Sequence, residues 1–361
     1  MMIEIKKLKN WQAPEDWFEI QTIDAHTGGE PLRIIISGFP KLKGATLLEK
    51  RTSAKNDFDQ IRKALMWEPR GHADMYGALI VDSDTPGADF GVIFIHNEGY
   101  STGCGHAVIA LTKVFVETGL IEKTEPVTEV KMDVPSGFIR SFAEVRHGEI
   151  TSIGFHNVPS FVQQMDSIVN VPGLGDIRYD LAFGGAYYAF VDATQFDLDC
   201  TEEYHDELIE KGALIKQAIM TSVKMDHPTE PEMNFLYGTI FTGPPKNSNN
   251  HSRNVCIFAE GEVDRSPTGT GVSARAAIHY ARGEIGIGES ITIESIIGST
   301  FSVKVDEITT FGKYQAVIPE VRGTAFLTGK NTFWINPNDP LKDGFILRLN
   351  DLESSFCFFH C

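Results

Sequence analysis

The stretch STGCGHAVIAL, Ser101–Leu111, sets one cysteine between two glycines at the head of an apolar run. A second stretch, DRSPTGTGVSARAAI from Asp264, has the same build with a threonine where the first has its cysteine. A Gly-rich turn that feeds an apolar helix, met twice in one chain, restricts the fold to two halves of similar design. A weak internal repeat supports that reading. Asp24 is followed by Gly28 and Gly29, and Asp180 likewise by Gly184 and Gly185. Cys104-Gly105 leads into Val108 and Ala110 as Thr268-Gly269 leads into Val272 and Ala274.

Strand-like runs precede each turn. PLRIIISGF, GALIVD and FGVIFIHN are rich in β-branched and aromatic residues and end at turn formers. GHAVIALTKVFVE, Gly105–Glu117, carries apolar residues at three- and four-residue spacing, with Gly119 placed as its C-terminal stop. VTEVKMDV, and the alternation on either side of His147-Gly148, predict strands and a hairpin. After the loop VPGLGD, the run LAFGGAYYAFVDA opens a second unit. There GALIKQAIMTSVKM and SARAAIHYARG, from Gly212 and Ser273, read as helices, and MNFLYGTIF and VCIFAEG as strands. The expected division is residues 1–160 plus 328–361 for the first domain and 161–327 for the second.

A chain of 361 residues is long for a single core, which agrees with two domains. A net charge of −17 argues against nucleic-acid binding, which needs clustered Lys and Arg. The N-terminus is charged from its fourth residue and lacks an apolar signal core, and no run approaches a membrane span. Five scattered cysteines do not form a disulfide framework. A soluble, cytoplasmic protein is therefore expected.

Cys104 admits two readings. It is a small buried residue, or it is a thiol whose pKa the helix start lowers, with glycines that let a ligand approach the backbone. The free N–H groups of that helix start would also hold an anion such as a carboxylate. SPTGTG admits two readings as well: a helix cap, or a second set of N–H groups for the same carboxylate. Asp24, His26, His72 and His96 lack metal-site spacing and read as structural. His106, beside the thiol, is the exception and is a candidate to orient substrate. VPGLGD lacks the lysine of a phosphate loop. The terminal FCFFHC, with Cys357, His360 and Cys361, does not make a closed metal site.

DAHTGGEPLRI, EPRGHADMYGALI, EGYSTGCGHAVIAL, DRSPTGTGVSARAAIHYARG and TGKNTFWINPNDPLKDGF together resemble the proline racemase family over nearly the whole chain. The resemblance implies an α/β (α+β) fold of the diaminopimelate epimerase type. In it, two similar strand-rich, barrel-like domains each wrap a central helix and meet at an interdomain cleft. It implies no cofactor and no metal, and it is compatible with a homodimer. In the family's racemases two cysteines face each other across the substrate Cα. Cys104 matches the first; Thr268 stands where the second would be. A hydroxyl is too weak an acid to act as the second base near neutral pH. The departure points to the branch that dehydrates trans-3-hydroxy-L-proline. In that reading Cys104 is the base and Thr268 hydrogen-bonds the substrate, with its departing hydroxyl as candidate partner. Gly105, His106, Gly269 and Thr270 match carboxylate-binding positions, and Asp264 matches the position that holds the ring nitrogen. The rival readings are a proline racemase or 4-hydroxyproline epimerase and, from another class, a non-catalytic imino-acid binder.

Overall fold

The computed structural model describes residues 5–347. Cys357, His360 and Cys361 lie outside the described residues. The first half holds strands β1 (Phe18–Thr27), β2 (Glu30–Ser37), β3 (Gly77–Val81), β4 (Phe90–Ile95), β5 (Tyr100–Ser101), β6 (Val127–Val134), β7 (Gly137–Arg146) and β8 (Glu149–His156). Its helices are α1 (Lys6–Lys9), α2 (Leu47–Met66) and α3 (Gly105–Glu117). The chain continues through β9 (Ser160–Val171), β10 (Gly175–Phe183), β11 (Tyr187–Asp192), β12 (Leu236–Gly243), β13 (Ser252–Phe258) and β14 (Glu262–Val263). It then runs through β15 (Ser290–Glu294), β16 (Thr300–Phe311), β17 (Tyr314–Gly323) and β18 (Ala325–Ile335), with helices α4 (His205–Ser222) and α5 (Gly269–Ala281).

The pairings repeat. β2 runs parallel to β3 around α2, and β11 runs parallel to β12 around α4. β3–β4 and β12–β13 are antiparallel, and each continues into a two-residue strand, β5 or β14. α3 and α5 follow those short strands. Next come the parallel pairs β4–β6 and β13–β15, then the meanders β6–β7–β8 and β15–β16–β17. The final strand of each series crosses over: β9 pairs with β10, while β18 returns along the whole of β1. The two series share one eighteen-stranded sheet among the described residues.

Each series wraps one apolar helix. α3 packs against β1, β2, β7, β8 and β18, and α5 against β9, β10, β16 and β17. Eleven consecutive positions of α5, Gly269–His279, are buried, as is nearly all of α3. Helices buried on every face are core helices; the charged residue in α5, Arg275, is paired inside with Ser252, Asn254 and His279. Each Val, Ile or Leu buried there contributes about 1.5–3 kcal/mol. Gly119 and Gly283 follow the helix ends at φ +75° and +72°, a conformation that glycine adopts without a Cβ penalty.

Three boundaries differ from the sequence reading. α5 starts at Gly269 rather than Ser273, because Thr268 takes the position that Cys104 takes before α3. α4 starts at His205 rather than Gly212, its first turn favoured by Asp206 and Glu207. α2 was not expected at all. Its composition is polar overall, yet Leu47, Ala54, Ile61, Leu65 and Met66 pack into a core with the strands, and Thr46 and Glu49 form a reciprocal capping box that marks its start.

Candidate active site

α3 and α5 meet start to start. A Cβ on Gly105 would lie 2.5 Å from Gly269 Cα, and one on Gly269 would lie 2.6 Å from Gly105 Cα. No side chain fits at either position. The positive ends of two helices, with their free N–H groups, therefore converge on one place, which suits a carboxylate.

The hairpin tips hold this junction from both sides. Glu30, after the β1–β2 turn, accepts a hydrogen bond on Oε2 from the Arg265 N–H at 2.8 Å. In the mirrored arrangement the Thr102 hydroxyl donates to the Gly185 carbonyl at 3.1 Å, and Asn157 Nδ2 donates to the Gly184 carbonyl at 2.7 Å. Each half thus braces the other's Gly-rich turn. The paired Asp-to-Gly-Gly motifs of the sequence are these tips.

The junction opens into a small cavity. Cys104, Gly105, His106, Asp264, Thr268, Gly269 and Thr270 all line it. All seven residues singled out in the sequence are therefore brought together.

Cys104 precedes the first turn of α3 in extended conformation, φ −154° and ψ 102°. Its Sγ lies 3.2 Å from His106 Nδ1. Burial pushes the thiol well above its usual pKa; the Ala107 N–H and the Tyr76 hydroxyl pull it back only in part. This corrects the expectation that the helix start ionises the thiol: desolvation outweighs it here. A thiolate that is hard to form is correspondingly a strong base toward a weakly acidic C–H. The His106 ring is pushed down to about 3 by burial, so it is neutral at neutral pH. It donates to the Pro31 carbonyl, and its other nitrogen is an acceptor.

Thr268 occupies the equivalent place before α5 but at φ +69°, ψ 96°. A β-branched residue at positive φ is strained. The turn is tied down to hold it: Asn254 Nδ2 donates to the Pro267 carbonyl at 3.0 Å, and Arg275 Nη1 donates to Asn254 Oδ1 at 2.9 Å. The Thr268 Oγ1 is buried without a well-formed hydrogen bond in the protein. Thr270 Oγ1 instead pairs with the Tyr188 hydroxyl at 2.6 Å. Asp264 accepts from the Ser266 N–H at 2.8 Å. Burial raises its carboxyl to about 6.

Sequence reasoning missed the aromatic wall and one carboxyl. Tyr76, Tyr188, Tyr237 and Phe258 close the cavity beside Cys256, with Tyr237 stacked on Phe258 at 5.3 Å. Tyr76 lay within a quoted motif, but nothing in a local pattern says which way a strand-end tyrosine points. Glu30 is fully buried, its Oε1 lacks a partner, and burial raises its carboxyl well above the usual value. Glu30, His106 and Asp264 bring oxygen and nitrogen atoms within 4.8 Å of one another, an acidic pocket suited to a cation such as an ammonium. A second such group, His156, Asp306 and Glu320, is already neutralised by Lys304, which sits 2.8 Å from Glu320 Oε2. Asp24 pairs with Arg33 at 2.9 Å, and the Nδ1 atoms of His26, His72 and His96 accept backbone N–H bonds, so these four are structural.

The fold and this paired-turn site define a class, and comparison with known proteins agrees. The proline racemase family model matches residues 22–346. The chain belongs to the proline racemase family. A trans-3-hydroxy-L-proline dehydratase of Colwellia psychrerythraea is 51% identical over 345 residues, covering 95% of this chain and 97% of its own. A 3-hydroxyproline 2-epimerase of Burkholderia multivorans is 45% identical, covering 91% of this chain and 98% of its own. Among solved structures, a hydroxyproline epimerase from Agrobacterium vitis, with bound trans-4-hydroxy-L-proline, superposes with a TM-score of 0.87 at 32% identity. The match covers 92% of this chain and 96% of that one. Among the described residues no helix is long and apolar enough to cross a membrane.

Proposed function

We propose that this chain is a cofactor-independent hydro-lyase that dehydrates trans-3-hydroxy-L-proline. The observation that carries the reading is the asymmetry of the two helix starts: a thiol before α3 and a hydroxyl before α5, lining one cavity. The likeness to the Colwellia dehydratase supports it.

The steps follow from the residues. The substrate carboxylate sits between the helix starts, on the N–H groups of Gly105, His106, Gly269 and Thr270. The ring ammonium faces Asp264 and keeps Cα acidic. The Cys104 thiolate removes the Cα proton, and the two helix ends stabilise the charge that grows on the carboxylate. Thr268 offers no proton to the other face, so the electron pair expels the 3-hydroxyl instead. The resulting enamine tautomerises to Δ1-pyrroline-2-carboxylate.

The division into residues 1–160 plus 328–361 and 161–327 is part of the proposal; the crossing-over of β9 and β18 supports it, and its part beyond residue 347 lies outside the described residues. A cytoplasmic homodimer completes it, and light scattering of the purified protein tests the dimer.

One observation favours a second reading. The Burkholderia multivorans relative is an epimerase at 45% identity, so epimerisation at Cα is the alternative outcome. Incubation with trans-3-hydroxy-L-proline separates the two. Dehydration gives an imine that reacts with o-aminobenzaldehyde; epimerisation changes optical rotation with no imine. An imino-acid binder gives a thermal shift and neither product.

A further inference from the structure

Elimination needs a proton for the departing hydroxyl as well as a base for Cα, and substrate geometry says where that proton must come from. In trans-3-hydroxy-L-proline the hydroxyl and the carboxylate lie on opposite faces of the ring. The Cα hydrogen also lies opposite the carboxylate. Hydroxyl and Cα hydrogen therefore share one face, and both point toward whatever base removes the proton. With Cys104 as that base, the leaving group faces Cys104 and not Thr268.

Tyr76 is the cavity-lining hydroxyl on that side. It is 1% exposed, its ring meets the His106 ring edge-on at 4.8 Å, and its phenol interacts with the Cys104 thiol. A hydrogen bond with the Ser101 hydroxyl fixes the phenol's direction. The cavity's other polar groups are less well placed: the Tyr237 phenol donates to Tyr76 itself, and Thr268 and Asp264 belong to the second helix start. Tyr188 serves Thr270 at the second helix start, and the neutral His106 ring donates to Pro31. Burial holds the Tyr76 phenol in its protonated form.

We infer that Tyr76 is a catalytic residue that protonates the departing 3-hydroxyl, and that its proton is replaced by the one Cys104 takes from Cα. The inference rests on the dehydratase reading above. The thiolate takes the Cα proton, and the Cα–H electron pair becomes the Cα=C3 bond. The C3–O bond breaks, and its oxygen takes the Tyr76 proton and leaves as water. The Cys104 thiol returns a proton to the phenolate. Thiolate and phenol are regenerated, so a turnover needs no outside acid. This moves the partner of the departing hydroxyl from Thr268 to Tyr76.

Tyr76→Phe keeps the ring and removes the hydroxyl, and a thermal melt checks that the variant folds. Two rates are read in deuterium oxide: imine formation from trans-3-hydroxy-L-proline, and solvent exchange of the Cα hydrogen of L-proline, which has no leaving group. The expected result is a loss of dehydration of about 100-fold or more, the usual scale of a general acid, with exchange reduced by less than about tenfold. Unmodified protein is also expected to leave cis-3-hydroxy-L-proline, whose hydroxyl lies on the other face, without imine formation. Equal losses of both rates, dehydration within about threefold of the parent, or ready dehydration of the cis isomer overturns the inference. If the unmodified protein makes no imine from the trans substrate, the dehydratase reading itself fails, which is a separate outcome.

Discussion

The Cys104 and Thr268 turns are two versions of one design that carry different side chains. Both precede a buried helix, both are followed by a glycine that nothing else can replace, and both line the same cavity. Cys104 sits in relaxed extended backbone with His106 3.2 Å from its sulfur. Thr268 sits at φ +69° with a buried hydroxyl that lacks a well-formed hydrogen bond. The two turns share a backbone frame, which under the proposed function holds the carboxylate. They differ in the one side chain per turn on which the proposed chemistry depends.

The comparison breaks most sharply at the thiol. Cys104→Ser removes the base, and dehydration should fall by about 10³-fold or more, together with Cα exchange. Imine formation and deuterium uptake measure both. Dehydration at the parent rate in that variant would falsify Cys104 as the base.

The frame comes next. Gly105→Ala and Gly269→Ala each place a methyl 2.5 or 2.6 Å from the other helix's backbone. Overpacking usually costs about 1–3 kcal/mol, and here it also separates the two helix starts. Thermal denaturation should show a lower Tm in both variants, with weakened binding of pyrrole-2-carboxylate, a planar mimic of the carbanion. If only one variant suffers, the two helix starts are not equivalent.

A smaller effect concerns Asp264. Its folded-state pKa, about 6, exceeds the ordinary carboxylate value. The protonated form is thus favoured by folding. This contribution is complete below about pH 4 and is lost as pH rises through 6. Asp264→Asn should remove that part of the stability profile in substrate-free protein, as read by denaturant titration between pH 4 and 7. Substrate stabilisation should grow over the same window, since an ammonium favours the carboxylate.

The smallest effect is expected at Thr268→Val. It removes a hydroxyl that lacks a well-formed partner and keeps the shape, so stability should change by less than about 1 kcal/mol. A loss of several kcal/mol on denaturant unfolding would mean the hydroxyl is structural.

Much of the frame was legible because it is written in local pattern. Gly105–Glu117 was delimited to the residue, since apolar spacing and Gly119 coincide with the helix and its stop. The repeat was visible in the two Asp-to-Gly-Gly motifs and in the two turns. α2 was not, because its apolar residues are sparse among charged ones and its geometry breaks at Phe58, although Leu47, Ala54, Ile61, Leu65 and Met66 pack into a core with the strands. The start of α5 was misplaced because Gly and Thr are poor helix formers, overridden here by packing against α3. Tyr76 and Glu30 reach the site through tertiary contacts with elements far along the chain, which no local window contains. The state of Cys104 was misjudged for a related reason: a helix start can be read from sequence, but complete desolvation cannot.

The most direct test of the central claim is the stereochemistry of substrate recovered from deuterium oxide after partial conversion. With trans-3-hydroxy-L-proline, imine should accumulate, and all recovered substrate should keep its L configuration, with any Cα deuterium on the original face. Thr268→Cys should add the inverted isomer, cis-3-hydroxy-D-proline. Inverted substrate from the unmodified protein, without imine, would contradict the account, because the proton would then have been returned from the Thr268 side.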